Sequence, residues 1–138
     1  MADFIKSYRA NVGLNHTPAY QVSGRPFAKA GADAQNAVKV DFPYVTRWVQ
    51  VINTSGHDVR VGFSEIGISG SNYFTLQSSG SIRGNHSTER LELKITELWL
   101  YSPTKATSVD VVAGLTTVPV SRASSSYGPS FSGSTGVG

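Results

Sequence analysis

The chain has 138 residues, 39% of them hydrophobic and 15% charged, with 12 Lys and Arg against 9 Asp and Glu for a formal net charge of +3 and no cysteine. This length suits one domain that buries roughly two-thirds of its unfolded surface, and the missing thiols exclude a disulfide framework or a thiolate metal site. The cations are spread from Lys6 to Arg122 without a block, which argues against a dedicated nucleic-acid surface, because counterion release needs clustered charge.

Residues 1–16 form a distinct opening arm. Phe4, Tyr8 and Val12 fall at helical spacing, but Asn11, Gly13 and Asn15 stop a helix early. Phe4, Ile5 and Tyr8 mixed with Lys6 and Arg9 suit docking against another protein. No apolar run here has signal-peptide length, and no run in the chain approaches the roughly 20 apolar residues of a membrane span. The expectation is a soluble chain made in the cytosol, without membrane insertion.

The domain proper is expected over residues 17–120. Candidate strands are residues 19–22, 38–41, 45–52, 59–64, 73–77, 91–101 and 109–120, rich in β-branched or aromatic residues and separated by Gly, Pro, Asn and Ser clusters. Asn53-Thr-Ser-Gly-His-Asp58 is turn chemistry between two of them. In the run 91–101, Leu91, Leu93 and Ile95 occupy odd positions but Leu98 and Leu100 even ones. Such a phase slip marks a β-bulge or a strand that bends from one sheet to the other. The core is expected from Val49, Val51, Val59, Val61, Phe63, Leu93, Ile95, Val111 and Leu115. Uneven loops are expected at 67–72 and 80–88. With no helical stripe beyond two turns, a parallel α/β architecture is excluded, leaving a closed barrel or a two-sheet sandwich, of which a jelly roll of about eight antiparallel strands fits.

After Val120 the sequence becomes SRASSSYGPSFSGSTGVG. Residues 121–138 read as a Ser/Gly-rich tail, either mobile or ordered only on a neighbour, with Tyr127 and Phe131 as its anchors.

Catalytic and metal chemistry finds little footing. His16, His57 and His86 lie in separate turn-like segments without metal-ligand spacing, and no G-x-S-x-G elbow occurs. Glu89, Glu92 and Glu97 read as exposed strand carboxylates. Asn15, Asn53 and Asn85 each fit the N-x-[ST] pattern, as chance alone produces in a chain rich in Ser and Thr. The glycines of 133–138 lead no helix that could hold phosphate. Trp48 and Trp99 read as core or subunit-contact groups, with a sugar-stacking platform as the alternative. The expectation is no enzyme, no cofactor and no metal.

The phrases PAYQVSGRPF (18–27), FPYVTRWVQVIN (42–53), VRVGFS (59–64), NYFTL (72–76), LELKITELWLYS (91–102) and VDVVAGLTTV (109–118), taken in order, resemble the small single jelly-roll penton proteins of large icosahedral double-stranded DNA viruses, the algal-virus and giant-virus group. The resemblance covers residues 18–118. It implies a non-catalytic virion protein, made in the host cytoplasm, whose homopentamer closes each fivefold capsid vertex beside the major and other minor capsid proteins. In that setting Arg47 stands at a sheet edge or an intersubunit seam. The alternatives are a jelly-roll module binding a carbohydrate or receptor, and a trimeric capsid decoration protein.

Overall fold

The structure is a computed structural model and describes residues 14, 15, 17–21, 24–79, 86–123 and 130–138. Where β-branched residues alternate with polar ones, the chain is extended, because branched side chains lose little rotamer freedom on a pleated surface. This produces β2 (Val38–Asp41), β3 (Tyr44–Asn53), β4 (Val59–Gly62), β5 (Tyr73–Leu76), β6 (Glu97–Tyr101) and β7 (Val109–Pro119), preceded by β1 (Arg25–Ala32). One sheet has the order β1-β7-β3 and the other β2-β6-β4-β5, and every pairing is antiparallel.

The first sheet gains a fourth row from residues 87–91. Bridges join Ile52 to Ser87 and Val49 to Leu91, the latter through reciprocal backbone bonds of 2.9 and 2.8 Å. Four rows thus face four, and the chain changes sheet at each connection except the β4-to-β5 return. That is the single jelly roll expected from the sequence, an all-β sandwich. The phase slip has its explanation in the same connectivity. Leu91 belongs to the first sheet, Leu98 and Leu100 to the inner face of the second, and the crossing between them is held by Thr46, whose Oγ1 donates to Leu93 O and accepts from Ile95 N.

The core lies between the sheets. Val49, Val51, Val111, Ala113 and Leu115 of one sheet meet Val40, Val59, Val61, Leu98 and Leu100 of the other, all at most 5% exposed. Of the nine expected core residues, seven are buried, and Phe63 and Leu93 are half-buried against the same cluster. A smaller cluster, Val45, Val118 and Ala123, closes one end beneath Leu14 and Tyr20.

Three local expectations change. Of the strand expected at 19–22, residues 19–21 are helical and residue 22 lies outside the described residues; α1 occupies Thr17–Gln21, with Pro18 in the first turn, where its missing N–H costs nothing, and Tyr20 on the end cluster. The loop expected at 67–72 is partly helical. α2 (Glu65–Ser69) starts at Ser64, whose Oγ accepts from Gly67 N at 2.9 Å, and buries Ile68. Finally, β1 was not expected at all. Its RPFAKAGA sequence is mostly exposed because it is an edge row paired only with β7, so it shows no apolar alternation.

Asn53 is fully buried at the turn after β3. Its Oδ1 accepts from Ser55 N and Oγ, and its Nδ2 donates to His57 O at 2.7 Å and Gln77 O at 3.0 Å. Both Nδ2 hydrogens are thereby engaged, so this Asn is a structural member of the turn and its amide is unavailable to a modifying enzyme. Asn15 is exposed, with Oδ1 accepting from Lys94 Nζ at 3.0 Å, and Asn85 lies outside the described residues.

Candidate functional site

Three surface features concentrate chemistry. The first begins at a register shift between β3 and β7, where the pairing passes from Thr46 with Leu115 to Trp48 with Gly114. The extra residue is Arg47. It is half-buried on a bulge, a feature that re-aims a side chain, and no hydrogen bond or ion pair joins it to another described residue. Trp48 turns to the outer face of the first sheet and lies across Gly114, so close that a Cβ there would stand 2.3 Å from Trp48 Nε1. The ring is therefore outside the core, because the inner positions on either side of it are taken by Thr46 and Val49, both fully buried. Nearby, the Arg25 guanidinium sits 4.2 Å from the Tyr44 ring centroid and donates to Thr116 O.

The second feature is the outer face of the second sheet. Alternation on β6 sends Leu98 and Leu100 inward and Glu97, Trp99 and Tyr101 outward. Trp99 Nε1 donates to Glu97 Oε2 at 2.6 Å. Across the ladder Lys39 pairs with Trp99 and Asp41 with Glu97, and Lys39 Nζ reaches Asp41 at 3.5 Å, leaving Glu97 without a cation among the described residues. Although on the outward side, Glu97 is 6% exposed, which corrects its reading as an exposed strand carboxylate. It borders a cavity of ≈ 390 Å³ also lined by Lys39, Glu65, Ile66 and Trp99. Farther along, Arg60 of β4 lies over the rings of Tyr73 and Tyr101, 4.4 and 5.8 Å from their centroids.

The third feature is residues 130–138, which wrap back onto the chain's own sandwich. Ser130 is fully buried, its Oγ accepting from Thr96 N at 3.0 Å. Phe131 and Val137 line a cavity of ≈ 280 Å³ whose floor is Phe63, Leu93 and Ile95. At the far end Ser64 Oγ donates to Val137 O at 2.7 Å, and Gly138 lies flat on Gly67, with room for a Cβ on neither. Composition offers these residues little to bury, yet Phe131 and Val137 find the half-buried Phe63 and Leu93, which the sandwich leaves uncovered on that side. Ser132 and Gly133 border the Glu97 cavity as well.

Of the residues singled out from sequence as assembly contacts, Arg47 and Phe131 have the positions just given and share no contact. Phe4, Ile5, Tyr8, Arg9 and Tyr127 lie outside the described residues. The Glu97–Trp99 pair escaped notice, although two residues apart on a strand always share a face, so the E-x-W pattern itself was the available clue. Among the described residues no group of three or more His, Asp or Glu is placed to hold a metal, and none of the helices is long and apolar enough to cross a membrane. His57 is exposed and His86 half-buried on opposite sides of the Asn53 turn, where His86 O accepts from Asn53 N. Tyr20 is the one described group with a displaced pKa, raised above 10.0 by burial on the end cluster. A scan against models of protein families matches none, and a search of curated proteins finds no significant similarity.

Proposed function

We propose that the chain is a structural subunit of an icosahedral viral capsid, without catalytic activity, of which five copies form a penton at each fivefold vertex. The observation that supports this most is the topology. Two four-row sheets enclose a buried core rich in Val and Leu, a rigid wedge of the kind that packs side by side in a ring. Fold alone does not define function. The order of sequence phrases that resembles the single jelly-roll penton proteins, and a half-buried Arg47 without an ion pair among the described residues, add to the same reading. Partners would be further copies of itself and the major and minor capsid proteins. The decisive experiment is the copy number and position of the chain in intact particles by cryo-electron microscopy, backed by native mass spectrometry of the purified protein. Five copies at vertices bear the reading out, and three copies elsewhere on the shell replace it with a decoration protein.

A second reading has a specific observation in its favour. The half-buried Trp99 ring, with Glu97 fixed beside it and Lys39 across the strand, combines an apolar stacking face with an oriented acceptor, the elements of saccharide binding. Quenching of Trp99 fluorescence by one sugar class from a glycan panel, abolished by Glu97→Gln, would favour a receptor-binding module.

A further inference from the structure

We propose that residues 130–138 are an exchangeable strap, which occupies the chain's own groove in an isolated subunit and the identical groove of an adjacent copy in an assembly. The groove runs from Thr96 past Phe63, Leu93 and Ile95 to Ser64 and Gly67. Every strong contact in it is made by the strap itself. Ser130 Oγ accepts from Thr96 N, Phe131 lines one cavity with Phe63, Leu93 and Ile95, Val137 O accepts from Ser64 Oγ, and Gly138 meets Gly67. None of these contacts depends on which chain supplies the strap. A tie to the preceding turn runs from Phe131 N to Ala123 O, at 3.4 Å longer than the strap's bonds to Thr96 and Ser64.

Closing on the same chain has a conformational cost. Ser130 and Phe131 are consecutive non-glycine residues in the left-handed region, with φ of 53° and 65°. A β-carbon makes that region unfavourable, and such residues persist only where the surroundings hold them. A strap that arrives from a neighbour by a different approach can keep its seat and relax φ of Ser130, which orients only the chain before it, so exchange retains the contacts and lowers the strain at that residue. That is the condition under which identical elements swap between copies.

The surroundings of the groove supply an independent argument. Ile66, 74% exposed, and Val120, 40% exposed, are the exposed large hydrophobic residues among those described. They flank the strap. Ile66 shares a cavity wall with Ser132, Gly133 and Gly138, and Val120 lines the next cavity along with Thr96 and Glu97. The same strap in the same seat leaves both uncovered, so they are apolar surface that only the body of the neighbour supplying the strap would cover. The six residues 124–129 span at most about 20 Å when extended, so the neighbour's groove must open within that distance of Ala123.

The absence of native cysteine makes the test clean. Ser130 Oγ lies 3.0 Å from Thr96 N, which caps the separation of the two Cα atoms at about 7 Å, the outer limit for a disulfide. Thr96→Cys and Ser130→Cys chains, made separately, are mixed at assembly concentration and oxidised. Exchange predicts disulfide-linked pairs of the two variants as the main product, and a Thr96→Cys/Ser130→Cys double variant closed within one chain at low concentration should then stay monomeric. Singles that remain unlinked while the double variant closes quantitatively on itself would overturn the proposal. Should either cysteine disturb the β-sheet circular dichroism, Phe131→Ala in the full chain serves instead. It is expected to weaken self-association at least about tenfold by sedimentation, and an unchanged association constant overturns the exchange. These outcomes are independent of the vertex reading, because cross-linking reports exchange in a dimer or a ring of any size, whereas copy number in the particle reports the vertex.

Discussion

Replacing Gly114 by Ala should destabilise the protein through one side chain, Trp48. The new Cβ would stand 2.3, 2.8 and 2.9 Å from Nε1, Cε2 and Cδ1 of that ring, whereas carbon contacts are comfortable at about 3.5–4.0 Å. The ring must therefore withdraw by roughly 1 Å or swing into solvent. Withdrawal forfeits much of the burial of a large aromatic, a loss of about 1.5–3 kcal/mol, while Ala in place of Gly inside a strand returns about 0.5–1 kcal/mol. The expected net is about 1–2 kcal/mol of destabilisation, or a fall in Tm of roughly 3–8 °C for a domain of this size. In a Trp48→Ala background the obstruction is gone, and Gly114→Ala should become neutral or stabilising. The double-mutant cycle should thus show a coupling of about 1.5–3 kcal/mol. Urea unfolding followed by circular dichroism measures the stabilities, and fluorescence in a Trp99→Phe chain follows Trp48 alone. An equal cost for Gly114→Ala in both backgrounds would refute the close approach.

Val61→Asp places a carboxylate at a fully buried position between the sheets and should cost about 4 kcal/mol or more; a variant melting with the wild type would show the inward facing to be wrong. Asn53→Ala removes the acceptor for Ser55 and the donor to His57 O and Gln77 O, for an expected loss of about 2–4 kcal/mol in denaturant unfolding. Tyr20 has its pKa raised by burial, so the unfolded chain ionises first. The stability linked to this hydroxyl is whole below pH 10.0 and declines as the pH rises through the folded-state pKa. Tyr20→Phe should flatten the fall in Tm above pH 10, and an unchanged alkaline slope would remove Tyr20 as its source. Under the capsid proposal, deletion of residues 2–12 should leave Tm nearly unchanged while blocking incorporation into particles, and normal incorporation would exclude the arm from assembly.

The sequence by itself determined the all-β class and most of the rows. β2, β3, β4, β5 and β7 follow from β-branched alternation, a property each residue carries into any context, and the same alternation chose seven buried core residues from nine. It even marked the crossing between sheets, because a strand cannot change its buried face without a break in phase, and Leu93 to Leu98 records that break. Tertiary structure decided what alternation does not encode. β1 exists because β7 offers it hydrogen bonds, and its own alanines and glycine announce nothing. Arg47 is released by a register shift that depends on β7 as much as on β3. Glu97 borders a cavity whose walls include residues 132 and 133, brought there from far along the chain. The strap itself could not be anticipated from SRASSSYGPSFSGSTGVG, since its affinity for the sandwich resides in Phe63, Leu93, Ser64 and Gly67, more than 35 residues away in sequence. Local periodicity reports which face of an element is apolar. Which faces are left open, and which distant segment closes them, is a property of the assembled sheets.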